Sequence, residues 1–257
     1  MSAMLAAAVL VELFTSEGCS SCPPADAVLA RLHRQQPVAG VDVIVLSEHV
    51  DYWNSLGWKD PFSDPRFSER QSDYGGRVYT PQAVVDGRID VLGSDERAIV
   101  TAVTAAAREP HGILRLTPAE KKIKKVNFPA GRVRIEVTGL SDHSDADVMV
   151  AVVEDGLVSK VERGENAGRT LAHTAVVRAL QRVGTVASGA AQWSAEVPVP
   201  SNDSWKEPRV VAFVQDVRTR RVLAAGALKK EGDGGAPERD ERAADDQAHG
   251  AKDAHPR

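Results

Sequence analysis

The apolar positions of this chain keep one rhythm in its first hundred residues and another in the rest. Val9-Leu-Val-Glu-Leu-Phe14 is an apolar run broken only by Glu12 and reads as a buried strand. Val41-Asp-Val-Ile-Val-Leu46 is a second run, as expected of a parallel strand covered on both faces. Between them Ala25, Val28, Leu29 and Leu32 recur at helical spacing and predict a helix from about Pro23 to Gln35. The three form a β-α-β unit with a right-handed crossover. Pro61 to Gly75, with Phe62, Phe67 and Tyr74 among charges, reads as a polar helical connection. Asp86-Gly87 then sits between two apolar runs and predicts a two-residue hairpin turn. Ser94 is placed to cap a following helix, with Asp95 and Glu96 in its first turn.

From about Gly112 the period becomes two. Val133, Ile135 and Val137 alternate with Arg132, Arg134 and Glu136, and further strand-like runs lie at Val148–Val153, Val158–Val161, Val210–Val217 and Val222–Ala227. Such spacing predicts a mainly antiparallel, sandwich-like arrangement. Ala172 to Val183 suits a helix and a strand equally. Glu231 to Arg257 has almost no apolar content and reads as a disordered acidic tail. The expected organisation is an α/β domain over residues 1–110, a β-rich domain over 111–230 and the tail over 231–257.

At 257 residues, 42% hydrophobic and 26% charged, the composition is that of an ordinary globular chain, and a net charge of −4 does not point to nucleic acid. No apolar run approaches the roughly 20 residues that span a bilayer. Met1 to Leu10 is apolar and alanine-rich like the end of a signal peptide, yet no Lys or Arg precedes Arg31. Either there is no signal or the chain begins partway into one.

Candidate chemistry gathers at one sheet edge. Cys19 and Cys22 are the only cysteines, spaced C-x-x-C between a strand end and a helix start. A helix N-terminus favours a thiolate, which makes the pair a redox candidate. The alternative is a structural disulfide or two buried thiols. Pro23-Pro24 places the start of the regular helix near Cys22 or Pro23, after a tighter turn through Cys19-Ser20-Ser21. The loop after the second strand shares this edge, so His49, Asp51, Trp53 and Trp58 are candidates to line the same site, unless the tryptophans only anchor the loop. Cys19, Cys22 and His49 also make a soft three-donor set for Cu(I) or Zn, although no second pair stands at zinc-finger spacing. In Glu165–His173, Arg169 or His173 would stabilise a Cys19 thiolate if the loop reaches over the site. Otherwise Asn166 and Arg169 pin the loop to its own backbone. Glu12, inside an apolar strand, is expensive unless neutral or paired, and burial would raise its pKa.

The order β-α-β, connection, hairpin and helix, with C-x-x-C opening the first helix and Thr80-Pro81 before the hairpin, resembles the thioredoxin fold over roughly residues 9 to 109. That resemblance implies a cis Pro81 facing the cysteines, with Thr80 contacting the substrate chain; Trp53 is added as a substrate-binding candidate from its place in the loop at the same edge. It implies Cys19 as the attacking sulfur and Cys22 as the resolving one. Allowing one extra loop residue, it places Glu12 as the buried proton acceptor. Gly18 departs from the family, which has an aromatic residue before the first cysteine. The segments ELFTSEGCSSCPPAD, LSEHVDYWNSLGWKDPF, RVYTPQAVVDGR and ENAGRTLAH further resemble the domain of unknown function 1223 family, whose members are mostly secreted or periplasmic. Together these imply a thiol-disulfide oxidoreductase acting on protein thiols or disulfides outside the cytoplasm, with no cofactor. With the signal segment incomplete, a cytoplasmic location stays open. The alternatives are a copper or zinc module on Cys19, Cys22 and His49, and a secreted binding protein with a static disulfide.

Overall fold

The computed structural model describes residues 7–119 and 131–228 of the protein. The tail expected over 231–257 lies outside the described residues. Strands β1 (Ala7–Thr15) and β2 (Val41–His49) pair in parallel from Ala7↔Val41 to Thr15↔His49, and α1 (Pro23–Gln35) connects them. A short 3-10 helix (Tyr52–Leu56) and α2 (Pro65–Asp73) lead to the hairpin of β3 (Gln82–Val85) and β4 (Ile89–Leu92), whose first strand runs antiparallel to β1. Prolines open α1 and α2, where their missing N–H costs nothing. The cap of α3 (Glu96–Ala106) is Asp95, which accepts from the Ala98 N–H, rather than Ser94 one residue earlier. The carboxylate at 95 is the group in reach of the third helical N–H.

Among the described residues the second half contributes strands and loops but no helix. β5 (Ile113–Pro118), β6 (Gly131–Thr138) and β11 (Gln192–Val199) form a three-stranded sheet in the order β11-β6-β5. β8 (Leu157–Lys160) and β9 (Thr170–His173) make a two-stranded ribbon. β7 (Ala146–Glu154), β10 (Val176–Val186), β12 (Arg209–Asp216) and β13 (Val222–Ala227) join the first-half strands in one eight-stranded sheet, β13-β12-β7-β10-β2-β1-β3-β4. The ambiguous stretch Ala172–Val183 is therefore strand. The architecture is mixed α/β, with a large, mostly antiparallel sheet and few helices.

The boundary expected near residue 110 does not interrupt that sheet. β10 meets β2 at Val176↔Ser47, and the Ser47 N–H donates to the Ala175 carbonyl at 2.8 Å. The sheet also curls, so that the β12–β13 turn reaches the β3–β4 turn: the Val222 N–H donates to the Asp86 carbonyl, and Asp86 Oδ1 accepts from the Leu10 N–H. Gly87 is required here, because it holds φ +69° and a Cβ would lie 1.9 Å from the Arg220 carbonyl oxygen.

Strand alternation sorts β1 between two cores. Val9, Val11 and Leu13 pack with Leu29, Leu32 and Ile99 of the helices on one face. Leu10 packs with Ile44, Leu46, Phe67 and Phe213 on the other. A third core fills the space between the small sheet and the second-half strands, with Ile135 and Val137 against Val150, Val152 and Val214. Each such fully buried side chain contributes about 1.5–3 kcal/mol, so these three layers hold the sheet edge that carries the cysteines.

Candidate functional site

Cys19 and Cys22 form a disulfide with Cα atoms 5.4 Å apart. The turn expected from Pro23-Pro24 is present. The Cys22 N–H donates to the Cys19 carbonyl at 3.2 Å, and the Cys22 carbonyl then accepts from Ala25 and Asp26 as α1 begins. Both cysteines are fully buried, while Ser20 and Ser21 between them are exposed. The cover comes from the β8–β9 loop. Asn166 Nδ2 donates to the carbonyls of Glu17 and Cys19 at 2.8 and 2.9 Å, and Glu165 accepts from the Ser20 N–H. Arg169 donates to Asn166 Oδ1 at 2.7 Å and so orients the amide. Arg169 thus acts on the cysteine turn through Asn166 rather than as a direct partner of Cys19.

The Thr80–Pro81 peptide bond is cis. Pro81 sits beside the first turn of α1: a Cβ built on Gly93 would lie 3.2 Å from Pro81 Cβ and 3.3 Å from Ala25 Cβ. Trp53 Nε1 donates to Thr80 Oγ1 at 2.8 Å. A Cβ on Gly18 would lie 3.1 Å from Trp53 Cβ, so the glycine before Cys19 leaves room for a tryptophan delivered from another loop. Thr80, Pro81 and Trp53 are thus brought together at one edge of the C-x-x-C turn. Asp51 turns away to accept from Ser68 Oγ at 2.6 Å, and Trp58 Nε1 donates to Glu17 Oε2 at 2.7 Å.

Behind the disulfide lies a buried group of five ionisable side chains: Glu17, Asp26, His49, Asp60 and His173. Asp26 stands four residues after Cys22, on the same face of α1, and its Oδ1 accepts from Thr15 Oγ1 at 2.8 Å. His173 Nε2 lies 3.0 Å from Glu17 Oε1, and His49 Nδ1 lies 2.7 Å from Asp60 Oδ2. The two imidazole rings meet edge-on at 4.9 Å. Burial pushes the Asp26 carboxyl above its ordinary pKa, against the opposing pull of His173 and His49. For His49 burial works downward, but Asp60 beside it raises the pKa. For Asp60 burial works upward, but His49 and the backbone N–H groups of Glu17 and Phe62 hold it below the usual range.

Two expectations need correction. Glu12 does not serve the cysteines. It falls on the even-numbered face of β1, away from α1, and is buried there with Arg70 Nε at 2.6 Å and the Tyr74 hydroxyl donating to its other oxygen. The carboxylate that stands by Cys22 is Asp26. The three-donor metal set also fails: the two sulfurs are bonded to each other, His49 is paired with Asp60, and no group of three or more metal-ligating side chains converges among the described residues. The i, i+4 spacing of Cys22 and Asp26 was readable in the sequence, and His173 does come to the site, bonded to Glu17; the approach of Glu17 and Asp60 had no local signal.

The model of the family described as "Protein of unknown function (DUF1223)" matches residues 10–215. A crystal structure of an Agrobacterium tumefaciens protein from a structural genomics consortium is similar at 28% identity and a TM-score of 0.69. The match covers 90% of this chain and 96% of that one. No curated protein matches. No helix among the described residues is long and apolar enough to cross a membrane.

Proposed function

The chain belongs to the DUF1223 family, and we propose that it is a thiol-disulfide oxidoreductase with a thioredoxin-like first half, acting on protein thiols or disulfides outside the cytoplasm. The observation that carries this reading is the disulfide at the N-terminus of α1, with the Thr80–Pro81 segment beside the first turn of that helix. The strand order β2-β1-β3-β4, with α1 and α3 packed on one face, supports it.

In the oxidising direction a substrate thiolate attacks Cys19. The Cys19–Cys22 bond breaks, Cys22 takes the electron pair as a thiolate, and a mixed disulfide joins Cys19 to the substrate. The second substrate thiol, deprotonated, attacks the substrate sulfur of that mixed disulfide, and Cys19 leaves as a thiolate. The substrate becomes a disulfide and the protein a dithiol. Reduction of a substrate disulfide runs the same steps backwards. Thr80, Pro81 and Trp53 would hold the substrate chain.

Insulin reduction with a dithiol as electron donor tests the reading. The wild type should turn over and Cys19→Ser should be inactive. Equal rates for the two would end it. The complete burial of both cysteines favours one other reading, a static disulfide in a binding protein. The reduction potential separates them: a structural bond would lie below about −300 mV, a working one above it.

A further inference from the structure

Both cysteines are fully buried, and a thiol cannot attack a sulfur it does not reach. Access to the bond therefore requires a neighbour of the cysteine turn to move. Beside that turn stand Trp53 against Gly18, Pro81 and Gly93 against Ala25, and the β8–β9 loop on Glu17, Cys19 and Ser20. The first two groups are tied into the fold. Trp53 Nε1 donates to Thr80, and the adjacent Asn54 side chain bonds Ser63 and the Asp60 N–H at 2.9 and 3.0 Å. The Gly93 N–H donates to the Pro81 carbonyl at 2.9 Å, next to the paired strands β3 and β4.

The β8–β9 loop is held differently. Its two strands pair with each other and, among the described residues, with no other strand. At its base Val161, Leu171 and His173 are buried, and the Gly168 N–H donates to the Val161 carbonyl at 2.8 Å. Over residues 162–170, Asn166 is the only buried residue. Its amide makes two bonds to the cysteine turn, and the third bond of the tip, from the Ser20 N–H to Glu165, is exposed to water. Gly164 and Gly168 bracket Asn166 at φ +76° and +80°, where a residue without a Cβ turns most freely. A segment with one buried anchor and few apolar contacts opens at a small fraction of the cost of global unfolding.

We propose that residues 164–168 are a lid on the Cys19–Cys22 bond, latched by the Asn166 amide, and that the latch must release before a thiol reaches Cys19. The proposal rests on the oxidoreductase reading for the substrate that the lid admits. Release frees the Glu17 and Cys19 carbonyls and the Ser20 N–H to water or to an incoming chain. Arg169 holds Asn166 Oδ1 at 2.7 Å and so sets the angle at which the amide meets both carbonyls, which makes it a positioning residue for the closed state. When opening and closing are fast, the rate at which any reagent attacks the bond follows the population of the open form. Removing the latch raises that population without touching either sulfur.

A water-soluble trialkyl phosphine tests the lid without a protein substrate. It opens the bond to two thiols and leaves as its oxide, with water supplying the oxygen and both protons. Thiol release from the oxidised full chain, measured below the unfolding transition, should be about tenfold faster or more in Asn166→Ala than in wild type. Arg169→Met, which keeps the amide but removes its orienting donor, should give a smaller gain of about threefold. Val137→Ala loosens the core under the three-stranded sheet and leaves the tip alone, so it should react at the wild-type rate. Equal acceleration by Val137→Ala and Asn166→Ala would mean that the sulfurs are reached by global unfolding, and would overturn the lid. Wild-type rates in both Asn166→Ala and Arg169→Met would overturn it too. If Asn166→Ala does not fold, Arg169→Met against Val137→Ala decides the matter. Absent insulin turnover by the wild type would remove the oxidoreductase reading, while the phosphine comparison, which needs no catalysis, would still decide whether the lid gates the bond.

Discussion

The last two residues of β2 point into opposite buried charge clusters, and the two clusters are built differently. Glu48 enters the face covered by α2, where Arg70 bonds Glu12, Tyr74 and Gln215 at 2.6, 2.7 and 3.1 Å and stands 3.6 Å from Glu48. His49 enters the face of α1 and the disulfide. The Arg70 cluster is built on a permanent cation, a guanidinium stacked on the rings of Tyr74 and Phe213. The disulfide cluster pairs two imidazoles with carboxylates, and Asp60 beside His49 raises that ring's pKa. One arrangement holds the curled sheet together. The other stands next to the cysteine turn and leaves two ring nitrogens, His49 Nε2 and His173 Nδ1, without a partner among the described residues.

The contrast fails most visibly if Arg70 is dispensable. Arg70→Met should cost about 3–5 kcal/mol in denaturant unfolding, because Glu12 is left buried and unpaired. Adding Glu12→Gln should recover much of the loss, since the uncompensated charge is then gone. A single variant as stable as wild type would mean that the cluster is not structural.

On the disulfide side, Asp60→Asn should cost about 1.5–3 kcal/mol by weakening the charged bond to His49. The loss should have a pH signature. His49 has a raised folded pKa, so its pairing stabilises fully below the ordinary histidine value and fades as pH rises through the folded value. The variant's deficit should therefore be larger near pH 6 than near pH 9 by chemical denaturation. Asn166→Ala should cost about 1–3 kcal/mol and speed reduction of the bond by a small phosphine, since two carbonyls of the cysteine turn lose their donor.

Glu48→Gln gives a pH-selective effect of opposite sign. Burial, then the neighbouring Glu12, hold the Glu48 pKa well above the ordinary value. A raised acid is favourable below its unfolded pKa, and its contribution falls as pH rises toward the folded one. The variant should match wild type at about pH 4 and exceed it at about pH 8 in denaturant midpoint. Trp53→Phe, which removes the bond to Thr80 and trims a ring packed beside Phe14, Val50 and Val84, should be the smallest change, about 1 kcal/mol.

How far the sequence speaks differs between these regions. Helical spacing from Ala25 to Leu32 and the Asp86-Gly87 turn were legible because local physics decides them. Glu12 was visible as an expensive buried acid, but its facing was not, since alternation fixes which residues share a face and not which face meets the cysteines. Strand Gln192–Val199 carries its own period-two pattern, Trp193, Ala195, Val197 and Val199 against Gln192, Ser194 and Glu196, whereas the shorter Ile113–Pro118 is strand because it flanks β6. The joining of the halves into one sheet depends on a single β10–β2 pairing more than a hundred residues apart, which no local signal encodes.

The amide of Asn166 reaches back 147 positions to clasp the cysteine turn. Synthesis proceeds from the N-terminus, so both sulfurs emerge long before the segment that shelters them. During that interval the nascent pair faces whatever thiols and oxidants surround the growing chain. Closing the clasp therefore marks when the two sulfurs of this polypeptide stop being open to the thiols around it.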